Sequence, residues 1–221
     1  MTGLLLPVVA AVVGVVGVVG AALAWFALAP WVRVNLRTPS WRARVRTWLT
    51  VAVAVCFAVI AAIVGLSWSL PALLLFAAGG AVLAAVDLLE RRIPNRMLVV
   101  VAAVVAAAIL LGAVGMGSAW PLLWCAVGAA GLFLIYLVIA LIAPSAMGMG
   151  DVKLAALVGG VLGFIGPVAI LGGAVAIAFV GGAAALLLIL FRRGAARAGV
   201  PYGPALVLGA LIGALGVIAT R

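Results

Sequence analysis

Long apolar runs alternate along the chain with short polar interruptions, and most runs have the length of a membrane span. They cover about 4–29, 48–66, 71–90, 97–116, 120–142, 152–166, 168–190 and 202–219. A helix rises about 1.5 Å per residue, so about 20 apolar residues cross a hydrocarbon layer about 30 Å thick. The run at 152–166 is short by that measure and is expected to start within the interface or pack inside the bundle. The ten-residue alternation of a membrane barrel is missing, and a helix satisfies its own backbone in lipid. The pattern therefore predicts an all-α integral membrane protein, a bundle of about eight transmembrane helices. Two units are expected: residues 1–70 as two N-terminal helices joined by a short basic loop, and residues 71–221 as a six-helix domain.

Composition narrows the class further. Seventy per cent of the residues are hydrophobic and 7% charged, far too little polar surface to solvate a chain of 221 residues. The formal charge of +10 would suggest nucleic acid in a soluble protein. Here the basic residues sit in short loops, where they set topology beside anionic lipid, and no nucleic-acid partner is expected. Cys56 and Cys125 fall inside apolar runs and read as small packing residues. With no histidine and no Cys-x-x-Cys pair, neither a metal site nor a cofactor is expected. The N-terminal run is long and lacks a basic leading region, so it is expected to be a retained span rather than a signal peptide.

The basic residues also fix an orientation. Arg33, Arg37, Arg42, Arg44 and Arg46 precede the second run, and Arg91, Arg92 and Arg96 separate the third and fourth. Lys153 follows the fifth run, Arg192, Arg193 and Arg197 the seventh, so that only Arg221 falls on the other side. The positive-inside rule then predicts a multi-pass membrane protein with the odd-numbered loops in the cytoplasm and both termini outside. Tryptophans near the run ends read as interfacial anchors, and paired glycines such as Gly159-Gly160 and Gly181-Gly182 as packing residues.

Acidic residues are rationed to Asp87, Glu90 and Asp151. Asp87 ends one run and Asp151 opens another, and the orientation puts both at the cytoplasmic face. Ionisable groups in spans are costly and are functional candidates. For Asp151 the structural alternative is a helix N-cap; for Asp87 it is an ion pair with Arg91, four residues on. Gly148 and Gly150 beside Asp151 would let a substrate backbone come close. Two neighbouring carboxylates cannot both ionise cheaply, so one keeps its proton, and the pair supplies a general base for water and a general acid for a departing amine. A serine or cysteine nucleophile would need a histidine partner, and the chain has none. Lys153 and the start of a helix favour Asp151 as the ionised base, and the end of a helix favours Asp87 as the acid. Glu90 reads as a partner of the adjacent arginines, and Asn95 as the cap of the following helix or a substrate contact.

These residues resemble the type IV prepilin peptidases, membrane aspartyl proteases of the GxGD class. Asp87 with Ile93-Pro94-Asn95 is similar to their first aspartate motif. Gly148-Met149-Gly150-Asp151-Val152-Lys153-Leu154 is similar to the second, and Pro201-Tyr202-Gly203-Pro204 resembles the Pro-Phe-Gly-Pro segment before their last span. The resemblance covers about residues 71–221. It implies an aspartic endopeptidase with Asp87 and Asp151 as the catalytic pair. Gly148, Gly150, Lys153, Pro94, Asn95, Pro201, Tyr202, Gly203 and Pro204 would shape the site or bind substrate. The implied partners are prepilin or pseudopilin precursors, cut at the cytoplasmic face to release a short basic leader. Many bacterial relatives carry a zinc-binding insert with paired Cys-x-x-Cys motifs after the first span and methylate the new N-terminus. Here that loop, about 30–47, is short and has no cysteine, so zinc dependence and methyl transfer are not expected.

Two other readings compete. A presenilin-like or signal-peptide-peptidase-like protease shares Pro204-Ala205-Leu206, but Val86 stands where that family has a tyrosine before its aspartate. A small proton-coupled transporter would place its acids nearer mid-membrane, often in inverted repeats, and no repeat is visible. The orientation itself can be checked with single cysteines in a background lacking Cys56 and Cys125. Thr38→Cys and Ala195→Cys should react with an impermeant thiol reagent only after the cells are opened, and Ser118→Cys in intact cells. Labelling of Thr38→Cys in intact cells would reverse the topology.

Overall fold

The computed structural model describes residues 39–143, 147–191 and 202–221. The apolar run at 4–29 lies outside them, with Arg33, Arg37, Arg192, Arg193, Arg197 and Pro201. Among the described residues there are seven helices: α1 (Pro39–Val64), α2 (Leu70–Glu90), α3 (Asn95–Gly115), α4 (Trp120–Ile142), α5 (Met149–Ile165), α6 (Pro167–Phe191) and α7 (Gly203–Ala219). Four helical stretches are long and apolar enough to cross a bilayer: Leu70–Glu90, Asn95–Gly115, Trp120–Ile142 and Pro167–Leu187. The apolar parts of α1 and α7, Thr50–Val64 and Gly203–Ala219, are shorter. The protein is a helical membrane protein, and the described residues supply seven of the expected eight helices.

The expected boundaries hold within about three residues except in α1, which begins at Pro39 instead of about 48. Arg42, Arg44 and Arg46 therefore lie on a helix and not in a loop. The reason is that hydropathy marks the part of a helix suited to lipid and not its full length. Arginine is a good helix former, and a proline with fixed φ and no N–H suits a first turn.

Two helix pairs, α4 with α5 and α6 with α7, share the most extensive contacts. Helix α7 also touches α2 and α5, while α2 and α5 meet only over a short stretch. Among lipids, helix association relies on close van der Waals fit, because the surrounding tails are as apolar as leucine. The α4–α5 seam shows how that fit is reached. A Cβ on Gly128 would run into the carbonyl oxygen of Gly159, and a Cβ on Gly159 into that of Gly128. One turn on, Gly163 faces the Trp124 carbonyl in the same way. Phe76, Leu73, Leu83, Leu154, Leu162, Ile177 and Leu206 fill the interior, and large apolar side chains such as Val99, Leu110, Leu141 and Phe179 cover the outside.

Chain direction sorts the candidate residues. The end of α2, the start of α3, the start of α5 and the start of α7 gather at one end of the bundle. At the other end Trp68 packs on Gly115, and the Arg221 guanidinium donates to the Ile165 carbonyl at 3.1 Å. A cation there complements the negative end of α5.

The α4–α5 seam predicts a sharp contrast between adjacent glycines. Gly159→Val must push the two helix backbones apart, an overpacking cost of about 1–3 kcal/mol or more, and should lower the melting temperature in detergent on the order of 5 °C. Gly160→Ala meets only ordinary contacts near 3.9 Å and should melt like the parent.

Candidate active site

Helix α2 ends because Arg91 turns into the left-handed region, with φ 53°, while its N–H donates to the Asp87 carbonyl at 2.8 Å. Such a residue is usually glycine, since a Cβ makes that conformation costly. The ion pair with Arg91, the structural alternative for Asp87, is not formed: Arg91 closes the helix with its backbone and its side chain is exposed. Glu90 pairs instead with Arg92, Oε2 to Nε 3.2 Å, as its neighbourhood of arginines suggested.

Asp87 faces the other way, into the bundle. At 4% exposure it is the one buried charged residue among the described residues. Its Oδ2 accepts the Gly203 backbone N–H at 2.9 Å, from a position 116 residues along the chain. Gly203 is the first residue of α7, capped by Tyr202, and Pro204 follows at a position where no backbone donor is lost. The first N–H groups of a helix have no partner within it and carry its positive end. Asp87 is thus near the negative end of its own helix and at the positive end of another. A Cβ at Gly203 would lie 2.8 Å from Oδ2, so no side chain is tolerated there without moving the carboxylate.

Asp151 is not the N-cap of α5. The cap is Gly148, and Asp151 is the third helical residue. Its Oδ2 accepts the Gly148 N–H at 3.2 Å while its own N–H donates to the Gly148 carbonyl at 3.0 Å. The carboxylate therefore reaches back over the first turn, as the acid of a capping box does. Its Oδ1 is buried and accepts no hydrogen bond among the described residues. That oxygen is left without a partner and can hold a proton.

The motif glycines divide. A Cβ on Gly150 would sit 3.0 Å from the Ile93 Cβ and 3.5 Å from its backbone N and O, so this glycine admits Ile93 of the same chain and not a substrate. Gly148 is exposed and has room around it. Asn95 is not a cap either. Pro94 holds the cap position of α3 with φ −65° and ψ 126°, and Asn95 begins the helix. The Asn95 Oδ1 accepts the Lys153 ammonium at 2.9 Å, across 58 residues. Lys153, expected to support a charge on Asp151, is turned toward Asn95. That leaves the helix N-terminus as the feature favouring a carboxylate there. Both ends of this bond are exposed, so its worth is order and not much energy, on the order of 1 kcal/mol.

A family model for the type IV leader peptidase family matches residues 74–187, just over half of the chain. The chain belongs to the type IV leader peptidase family. No curated protein and no solved structure matches it. The family match contains both aspartates, Ile93-Pro94-Asn95 and the glycines of the second motif, and it stops within α6. Gly203, the donor to Asp87, lies beyond it, so the place of the last motif in this peptidase comes from geometry.

Two features of the candidate site were not fully legible in sequence. Gly203 was expected at the site from its motif, but its partner Asp87 was not. Tyr136 gave no signal at all, being a tyrosine within an apolar run. It is buried in α4 with its ring 6.0 Å from that of Tyr202, tilted by 56°.

The Asn95–Lys153 bond and the Ile93–Gly150 contact tie the two aspartate motifs together. Asn95→Ala or Lys153→Met should each lower kcat on the order of tenfold, as a small misplacement of reacting groups does. The double variant should be no worse than either single one. Asn95→Asp, which can still accept from Lys153, should keep most activity. Independent, multiplying losses would show that the two side chains do not act as a pair.

Proposed function

We propose that the protein is an aspartic endopeptidase that removes the short basic leader from prepilin or pseudopilin precursors. We place its site at the cytoplasmic face of the bacterial cytoplasmic membrane. The observation that carries this reading is that Asp87 and Asp151 stand at the same end of the bundle, each carboxylate accepting a backbone N–H from a helix start. Membership of the leader peptidase family and the arginine distribution support the substrate class and the sidedness.

The chemistry follows from two carboxyls sharing a site. Neighbouring carboxylates hold one proton between them, and they titrate as a unit. The ionised member takes a proton from water as the water attacks the scissile carbonyl, and the protonated member donates to the developing oxyanion. Collapse of the tetrahedral intermediate breaks the C–N bond, and the proton gained from water passes to the departing amine. Backbone donors from Gly148 and Gly203 hold one oxygen of each aspartate and leave the other for this work. The exposed Gly148, with no side chain beside Asp151, lets an extended substrate come close to that acid.

The position of the acids separates this reading from a transporter. Asp87 lies in the last turn of α2 and Asp151 in the first turn of α5. An acid relay across a membrane would place such groups nearer the helix centres.

Asp87→Asn and Asp151→Asn should each reduce cleavage of a prepilin peptide by purified protein in detergent by a factor on the order of 10² to 10⁴. Glu90→Gln should retain most activity, since its partner is the exposed Arg92. Full cleavage by either asparagine variant would remove the dyad.

A further inference from the structure

We propose that Tyr202 is a positioning residue, held in a seat built by Gly181 and Tyr136, and that this seat fixes the Gly203 N–H on Asp87. Gly181 is buried in α6, and a Cβ there would fall 2.6 Å from the Tyr202 hydroxyl oxygen, with ring carbons at 2.7 and 2.9 Å. Its neighbour Gly182 is exposed and has nothing within 4 Å. One glycine of this pair is thus reserved for the tyrosine and the other is not. From α4 the Tyr136 ring packs against that of Tyr202, centroids 6.0 Å apart and tilted by 56°.

The consequence lies one residue on. Tyr202 caps α7, and the next residue donates the bond that Asp87 accepts at 2.9 Å. Any shift of the ring is transmitted through a rigid peptide to that N–H. Three helices therefore meet around one side chain to aim one backbone donor. The Tyr202 hydroxyl is the atom nearest to where a Cβ of Gly181 would lie, so the bare glycine makes room for it.

The inference rests on the peptidase reading for its kinetic consequence and on geometry alone for the placement of the amide. Both can be measured. The chain has only two tyrosines, and Tyr202-Gly203 is its one Tyr-Gly pair. Carbonyl-13C tyrosine with 15N glycine thus gives a single amide signal, from Gly203. Gly181→Ala should shift that signal and speed its hydrogen exchange, whereas Gly182→Ala should leave it in place. With a prepilin peptide, Gly181→Ala should lower kcat about tenfold or more and leave KM within about twofold. In a Tyr202→Ala background the same substitution should cost less than about twofold, because the clashing ring is gone.

An unmoved Gly203 signal in Gly181→Ala, or an equal kcat loss in the presence and absence of the ring, would overturn the seat. If Gly181→Ala does not fold, Tyr136→Leu carries the test: it removes the ring packed on Tyr202, and an unaltered Gly203 exchange rate would overturn the proposal. A parent protein inert on prepilin peptides would overturn the peptidase reading while the amide measurements still decide the seat.

Discussion

A carboxylate enclosed by apolar helices is expensive unless something hydrogen-bonds it, and Asp87 has one such donor, the backbone N–H of Gly203. Hydrogen bonds to charged groups are worth about 1.5–3 kcal/mol, and losing the donor would also expose the full desolvation cost of the acid. Much else follows from keeping that bond. Helix α7 must start at Gly203, beside the last turn of α2. Its second residue must not need a donor, which Pro204 satisfies. The position itself must lack a side chain, because a Cβ would crowd the carboxylate oxygen.

The same economy appears at Asp151. There the donor is local, from Gly148 at the start of the same helix, and one oxygen is left buried without a partner. The two acids therefore reach similar surroundings by different means, one through the tertiary fold and one through the first turn of its own helix. The Lys153–Asn95 bond and the seating of Gly150 on Ile93 then couple the start of α5 to the loop that follows Asp87. Neither contact contributes much stability. Their effect is to make the relative position of two helix ends, and so of two carboxyls, a property of the chain.

Small residues carry a second, separate task. In the α4–α5 seam Gly128, Gly159 and Gly163 let backbone touch backbone, which replaces the hydrophobic drive that lipid removes. Gly181 is of the same type by sequence yet holds a tyrosine next to the site. Of the expected packing pair 181–182, one glycine lies in open space. Spacing identifies small residues, while only the neighbour across the gap says what each one is for.

Hydropathy by itself determined the helical class and nearly every helix boundary, because span length is set by bilayer thickness and a lipid-facing backbone must be helical. It missed the start of α1, where arginines continue a helix beyond its apolar part. The scarcity of acids singled out Asp87 and Asp151, since a charge kept in such a chain has to be explained. Local order in sequence could not decide what those acids touch. Asn95 and Asp151 looked like caps because that is the usual local use of such residues at a helix start. Arg91 looked like an ion-pair partner because it is four residues from Asp87. The tertiary structure reassigned all three: Gly148 and Pro94 cap, Asn95 accepts from Lys153, and Arg91 ends its helix through its backbone. It also gave Gly203 its partner Asp87 and brought in Tyr136, through helices distant in sequence coming together. Those contacts are fixed by which helix faces meet, and that choice is made by close packing over the whole bundle and not by any one segment.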